Sequence, residues 1–333
     1  MGSKQIAILD LDMFLHHAAN AGEKKTVIAK HKKTGWEKEF SNRTEVYGHW
    51  KKKEGGWIAE LNKSREPERK VSWEDFDYID VQTPEPLENV LQIAKTMVEK
   101  SLKVSGASSY KAFMGKGDSF RVERSTLLKY KGNRENLLTP VYKMEVADYL
   151  QRKYKAEIVE GIESDDACTM AAYKQPNKFV LAEDKDFWSQ PNKVFNVNSP
   201  ERGIVDCDKF GSLWRDSEGK VRGEGRIHLL WQVASQDDSD NYKAHCFSNE
   251  TWGAIKAYEW LKGCQDDKEG FTKLKEIFQY LYPEPKEVVG WRGDKITITW
   301  DYVMDEMFDL ARMLRFAGDV VKCSDVMKKL GIV

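Results

Sequence analysis

Glu163, Asp165 and Asp166 fill three of four consecutive positions, where the apolar run "EIVEG" gives way to the helical pattern "DDACTMAAYK". Carboxylates this close repel one another unless a cation stands between them. Two explanations compete. Ser164 could cap a helix whose positive N-terminal end favours acids in its first turn. Alternatively, the acids hold a divalent metal ion. Three further acidic groups bear on the choice: Asp10 ends "IAILD", Asp184 and Asp186 follow "KFVLA", and Asp237, Asp238 and Asp240 follow "IHLLWQVA". Each alone reads as solvated acid, and the last lacks the glycine and closing Glu of a calcium EF-hand loop. Together they all fall at element boundaries. Oxygen-only donors suit Mg²⁺ or Mn²⁺ rather than zinc, and two such ions about 4 Å apart can activate a water and stabilise the leaving oxygen of a phosphodiester.

A phosphodiester substrate would also need cations. The net charge of the 333-residue chain is only −1, but it is segregated. Residues 24–53 carry ten Lys/Arg against three acids, and residues 111–155 carry eleven against five. Basic segments of this kind can bring an anionic polymer to an acidic, metal-loaded centre. Other chemistries lose support. Five scattered cysteines form no C-x-x-C pair, which argues against a disulfide framework or a cysteine zinc site and for a reducing, cytoplasmic setting. Neither H-E-x-x-H nor a phosphate-binding G-x-x-x-x-G-K-[ST] loop is present. No apolar run reaches the length of about 18 residues that a membrane helix needs.

The elements that must position the acids follow from periodicity. "KQIAILDLDMF", "SSYKAFMG", "AEIVEG" and "KFVLAE" read as short strands, and "TPEPLENVLQIAKTMVEKSLKVSG" reads as an amphipathic helix starting at prolines and stopping at Gly106. Strands alternating with helices predict an α/β domain with a mainly parallel sheet flanked by helices. In open α/β sheets, sites form beyond the carboxyl ends of the strands, where most of these acids fall. Residues 24–80 interrupt this pattern with partly alternating stretches and glycine turns, predicting one or two antiparallel hairpins inserted into the core. From about Arg226 the pattern turns helical. The expected division is a core over 1–225, with the insertion at 24–80 and the basic stretch at 116–155 within it, followed by a helical part over 226–333.

The motifs "ILDLD", "FR" with "KYKGNRE", "EGIESDDA", "AEDKDF" and "DDSDN" occur in an order that resembles bacteriophage 5′→3′ exonucleases and flap endonucleases. The resemblance covers roughly residues 5–15 and 110–260 and looks nearest to the podovirus-type phage exonucleases. It implies a PIN-like 5′-nuclease core and two-metal hydrolysis of DNA at or near 5′ ends, with Mg²⁺ or Mn²⁺ as cofactor. Asp10, Glu163, Asp165 and Asp166 would hold one metal region, and Asp184, Asp186, Asp237 and Asp240 the second. Lys131 and Arg134 would reach the scissile phosphate from the base of a helical arch over 116–155, and Arg121 would support that phosphate. Arg can make paired hydrogen bonds there, whereas Lys acts as a point charge. The implied partner is duplex DNA with a 5′ end or flap, or an RNA–DNA hybrid, bound by a monomer active in DNA replication in the host cytoplasm.

The chain departs from the family pattern in three places. An acid expected shortly after "YKAFM" falls at Gly115; either Asp118 serves instead or that ligand is missing. The glycine-rich turn that would bring backbone amides and a monovalent cation to duplex phosphates is replaced by "NYKAHCFSNETWGAIKAYEWL", which keeps only Gly253 and Lys256 of the likeness. The 24–80 insertion has no family counterpart. Its Trp36, Phe40, Tyr47 and Trp50 could stack bases or could pack as an ordinary core. Two rival functions remain: a PIN-like ribonuclease, and a relative that binds branched DNA without cutting it.

Overall fold

The computed structural model describes residues 4–49, 55–135 and 137–332. Strand β1 (Ile6–Asp10) buries its three central residues, Ala7, Ile8 and Leu9, on both sides, as an apolar strand of a parallel sheet must. Helix α1 (Leu11–Ala21) follows, then β2 (Glu23–His31), β3 (Glu37–Phe40), α2 (Arg43–Tyr47), α3 (Gly56–Lys63), β4 (Phe76–Pro84) and α4 (Leu87–Ser105). Next come β5 (Ser109–Ser119), α5 (Phe120–Arg124), α6 (Lys143–Tyr154), β6 (Glu157–Gly161), α7 (Ser164–Ala172), β7 (Lys178–Ala182), β8 (Lys193–Asn196) and β9 (Ile204–Asp206). Among the described residues the central sheet has six strands in the order β6-β5-β1-β7-β8-β9. All its pairings are parallel except β8 with β9. This is the expected α/β fold, a mainly parallel sheet flanked by helices. Its strand order reverses beside β1, and the crevice beyond the carboxyl ends there is where such sheets bind ligands.

The chain folds as two compact units, one of Met1–Phe14, Met97–Leu138 and Leu150–Val333, the other of Leu15–Thr96 and Thr139–Tyr149. In the second unit, β2 pairs antiparallel with both β3 and β4. The hairpins expected over 24–80 are therefore a three-stranded sheet, and two helices accompany it that periodicity did not indicate. Asn42 caps α2 by accepting from the Glu45 amide at 3.0 Å. Phe40, Val46, Tyr47, Ile58 and Phe76 form a core of their own. Phe40 and Tyr47 thus pack inward and are unavailable for base stacking. Trp36 is half-exposed and lies against Trp57, with ring centroids 5.2 Å apart. Trp50 lies outside the described residues.

In the first unit, the region after β9 carries hairpins as well as helices. Strands β10 (Ser212–Arg215) and β11 (Val221–Glu224) precede α8 (Arg226–Ala234), and the short β12 (Gln236–Asp237) and β13 (Tyr242–Lys243) enclose the acidic turn. They are followed by α9 (Ala254–Leu261), α10 (Asp267–Leu281), the hairpin of β14 (Lys286–Val289) and β15 (Lys295–Ile298), α11 (Trp300–Ala311) and α12 (Cys323–Lys329). Leu230, Leu274, Ile277, Phe278, Val303 and Met304 lie at the centre of the large apolar core these helices share. None of the described helices is long and apolar enough to cross a membrane.

Candidate metal centre

Asp10 is the last residue of β1. One of its oxygens accepts the Asp12 amide at 3.0 Å and the Ser164 hydroxyl at 2.7 Å. The same hydroxyl lies 2.9 Å from Oδ2 of Asp12. A hydroxyl has one hydrogen and cannot satisfy two carboxylates in full. Burial, and then the Asp12 charge, push the Asp10 carboxyl up to about 7. Asp184, which follows β7, opens to solvent on one side. The protein packed around it and the neighbouring Asp186 push its carboxyl up to about 7 as well. Asp165, in the first turn of α7, is pushed up by burial and by Glu163 and Asp166. An excess of negative charge therefore gathers at one end of the sheet. Asp12 belongs to this group although the sequence did not single it out. Its "D-L-D" spacing reads as a solvated strand end.

The other acids are held by cations. Lys185 donates to Asp186 at 2.9 Å and to Asp237 at 2.7 Å. Gln232 also donates to Asp186. Burial acts against ionisation of Asp237, but Lys185 and the Ser239 hydroxyl outweigh it and hold the carboxyl down at about 2. Lys131 donates to Glu163 and lies 3.8 Å from Asp240. The Tyr130 hydroxyl is 3.0 Å from Glu163 and 2.9 Å from Asp240. Arg134 donates to Asp240 at 3.0 Å and to the Ser239 carbonyl at 2.8 Å. Asn241 reaches back to the Lys129 carbonyl at 2.9 Å. "KYKGNR" and "DDSDN", more than a hundred residues apart in sequence, thus dock on each other. Lys131 takes a left-handed backbone conformation (φ 55°) at this junction.

Asp166 and Arg121 are placed differently from the expectation that one binds metal and the other a phosphate. Both are buried, at 0% and 2% exposure, and they form a bidentate pair with distances of 2.6 and 2.8 Å. Asp166 also accepts the amides of Glu163 at 3.1 Å and Leu314 at 2.8 Å. The remaining guanidinium N–H groups reach Glu163 and the carbonyls of Leu310 and Arg312. Every donor direction of Arg121 is occupied by protein, so the pair fixes the start of α7 instead of facing solvent. A buried Arg and a solvent-facing one look alike in sequence. Asp118 is exposed on β5, where the register with β6 shifts, and lines a shallow cleft with Phe120, Glu123 and Arg292. Asp238 is exposed, and Lys256 is exposed on α9 and donates to the Thr251 carbonyl.

Among the described residues, no three His, Cys, Asp or Glu side chains converge on a point where a metal ion could sit. Lys131 and Lys185 hold Glu163, Asp186, Asp237 and Asp240 between them. The donor chemistry nevertheless fits a hard divalent cation, being all oxygen, in excess of the cations around Asp10, and crowded about a shared hydroxyl.

No family model and no curated protein matches the chain. Among solved structures, the crystal structure of the T5 D15 protein co-crystallized with metal ions is similar over 67% of this chain and 93% of that one, at 14% identity and a TM-score of 0.36.

Proposed function

We propose that this chain is a divalent-metal-dependent nuclease that hydrolyses DNA phosphodiesters at or near 5′ ends. The observation that carries this reading is the gathering of Asp10, Asp165 and Asp184 at the carboxyl end of one parallel sheet, beside the docked Lys131 and Arg134. The order of "ILDLD", "KYKGNRE", "EGIESDDA", "AEDKDF" and "DDSDN" along the chain supplies the substrate class. Asp10, Asp165 and Asp184 would hold the cations, with Glu163, Asp186, Asp237 and Asp240 joining them once released from their lysines. Bound divalent cations would make hydroxide available from water near neutral pH and offset the charge developing on the leaving oxygen. Arg134, about half-exposed, would bind a phosphate of the substrate. Lys131, freed from Glu163, would place a second positive charge beside it.

The test uses internally labelled 5′-flap and blunt duplex DNA with Mg²⁺, Mn²⁺ or EDTA, on wild type and a folded Asp165→Asn variant. Metal-dependent cutting that the variant lacks supports the reading, and product lengths separate exonuclease from flap action. A matched RNA substrate tests the ribonuclease alternative. Tight binding of branched DNA without cutting, under every metal, would favour the non-cutting alternative. The specific observation on that side is that, among the described residues, the acids do not converge on one point.

A further inference from the structure

We propose that the insertion carries a binding surface for single-stranded DNA, built on the indoles of Trp36 and Trp57 and the ammonium group of Lys38. The choice of DNA rests on the nuclease reading; the surface itself does not. In the antiparallel register of β2 with β3, Lys38 stands opposite Ala29 and Phe40 opposite Val27. Directly paired residues share a face of the sheet, and successive residues alternate between faces. Lys38 and Phe40 therefore lie on the face that carries the small core, with Ala29, Phe76 and Tyr78. Trp36, just before β3, joins them, its ring 5.2 Å from that of Trp57 and 6.4 Å from that of Phe76. Glu37 and Glu39 fall on the other face, opposite Lys30 and Ile28.

This alternation sorts the charge. On the far face Lys30 lies 4.0 Å from Glu37, and Lys32 reaches to 3.9 Å from Asp77, so acid and base offset each other. On the near face the Lys38 ammonium stands 5.2 Å from the Phe40 ring and 5.4 Å from the Trp57 ring, and among the described residues it forms no ion pair. Lys33 is exposed in the turn between the two strands. A ring that only closed the core would be covered by it, as Phe40 and Tyr47 are, yet Trp36 is 45% exposed. An open indole with an unpaired ammonium two residues away matches the two parts of a nucleotide: the ring stacks on a base, and the ammonium meets the adjoining phosphate. A protein partner calls for a wider apolar patch, and the exposed Ile79 lies on the opposite face, paired with Ile28.

The experiment is fluorescence anisotropy of labelled oligothymidylate titrated with the intact chain in EDTA, with thermal melts as a check on folding. Trp36→Ala should weaken oligothymidylate binding by about tenfold, the scale of one lost stacked base, and leave blunt-duplex binding as it was. Trp36→Phe keeps a ring and should recover most of the affinity. Lys38→Ala should lower the slope of log affinity against log salt by about 0.7, the share of one phosphate of a single strand. Ile79→Ala, on the opposite face, should bind as wild type does. Unchanged oligothymidylate affinity in folded Trp36→Ala would overturn the surface, and so would an equal loss in Ile79→Ala or an equal loss of duplex binding. Binding of oligouridylate but not of oligothymidylate would overturn the choice of DNA. If wild type cuts no DNA with any metal while the Trp36→Ala loss persists, the nuclease reading fails and the surface stands.

Discussion

The acidic end of the sheet has two halves that answer the same electrostatic problem differently. Around Asp237, an ammonium group stands between carboxylates, and the Asp237 carboxyl is held at about 2 against the cost of its burial. Around Asp10, the neighbours are a second carboxylate, a shared hydroxyl and backbone amides, and the carboxyl rises to about 7. The contrast shows what charge each half still needs. The Asp237 half is already balanced within the protein, whereas the Asp10 half gains most from a cation arriving from solution.

The comparison breaks most sharply in paired substitutions. Asp10→Asn should reduce metal-dependent DNA cleavage by about 10²–10³-fold, the scale of losing one preorganised electrostatic contact, while leaving the urea midpoint without metal unchanged or higher. A parallel fall in stability would mean that Asp10 is a structural anchor. Asp237→Asn should do the reverse to stability, costing about 1–2 kcal/mol in urea unfolding, because it leaves Lys185 with Asp186 as its one remaining carboxylate of the two. That figure is reduced from the buried-pair range because Lys185 is about half-exposed. Equal stability of Asp237→Asn and wild type would show that the lysine contributes nothing net.

His228 probes the surroundings of the lysine-held half through pH. Burial, and then the Lys185 and Arg222 charges, push its imidazole down from 6.5 to about 3. The folded chain therefore resists a proton that the unfolded chain accepts. Stability is fully present above 6.5 and is lost as pH falls from there towards 3. At about pH 5.5 the loss from this group should be about 1.4 kcal/mol. His228→Phe keeps an aromatic ring against Trp231, whose ring is stacked at 5.5 Å. It should lack that part of the pH dependence in urea titrations at about pH 7.5 and 5.5. The same slope in both proteins would reassign the effect to other groups. The smallest expected effect is at Arg134. Its replacement by Ala should lower the slope of log affinity against log salt for DNA by about one, and an unchanged slope would remove it from the phosphate contacts.

Strands β1, β5, β6 and β7 were legible because each carries a short apolar run beside a helical pattern, a signal that survives without tertiary context. The docking of Lys131 and Arg134 on the acidic turn was not legible, because the two segments lie more than a hundred residues apart in sequence. What was not legible depended on space. Asp12 looks like any solvated acid until the Ser164 hydroxyl is seen shared between it and Asp10. Arg121 and Asp166 carry the residue types of a phosphate contact and a metal ligand, and only burial reveals a structural pair. In the insertion, α2 and α3 are too short to establish a period, so the Asn42 cap was the one local sign of a helix.

The Arg121–Asp166 pair also sets an order of assembly. Besides Glu163, its partners are the backbone groups of Leu310, Arg312 and Leu314, so residues from late in the chain complete the seat of a helix made much earlier. On a ribosome, every acid from Asp10 to Asp240 has been joined before that strap exists. A nascent or truncated chain can hold the whole set of acids and still lack the backbone groups that fasten the start of α7. The carboxylates are written early, but the geometry that aligns them is delivered almost last.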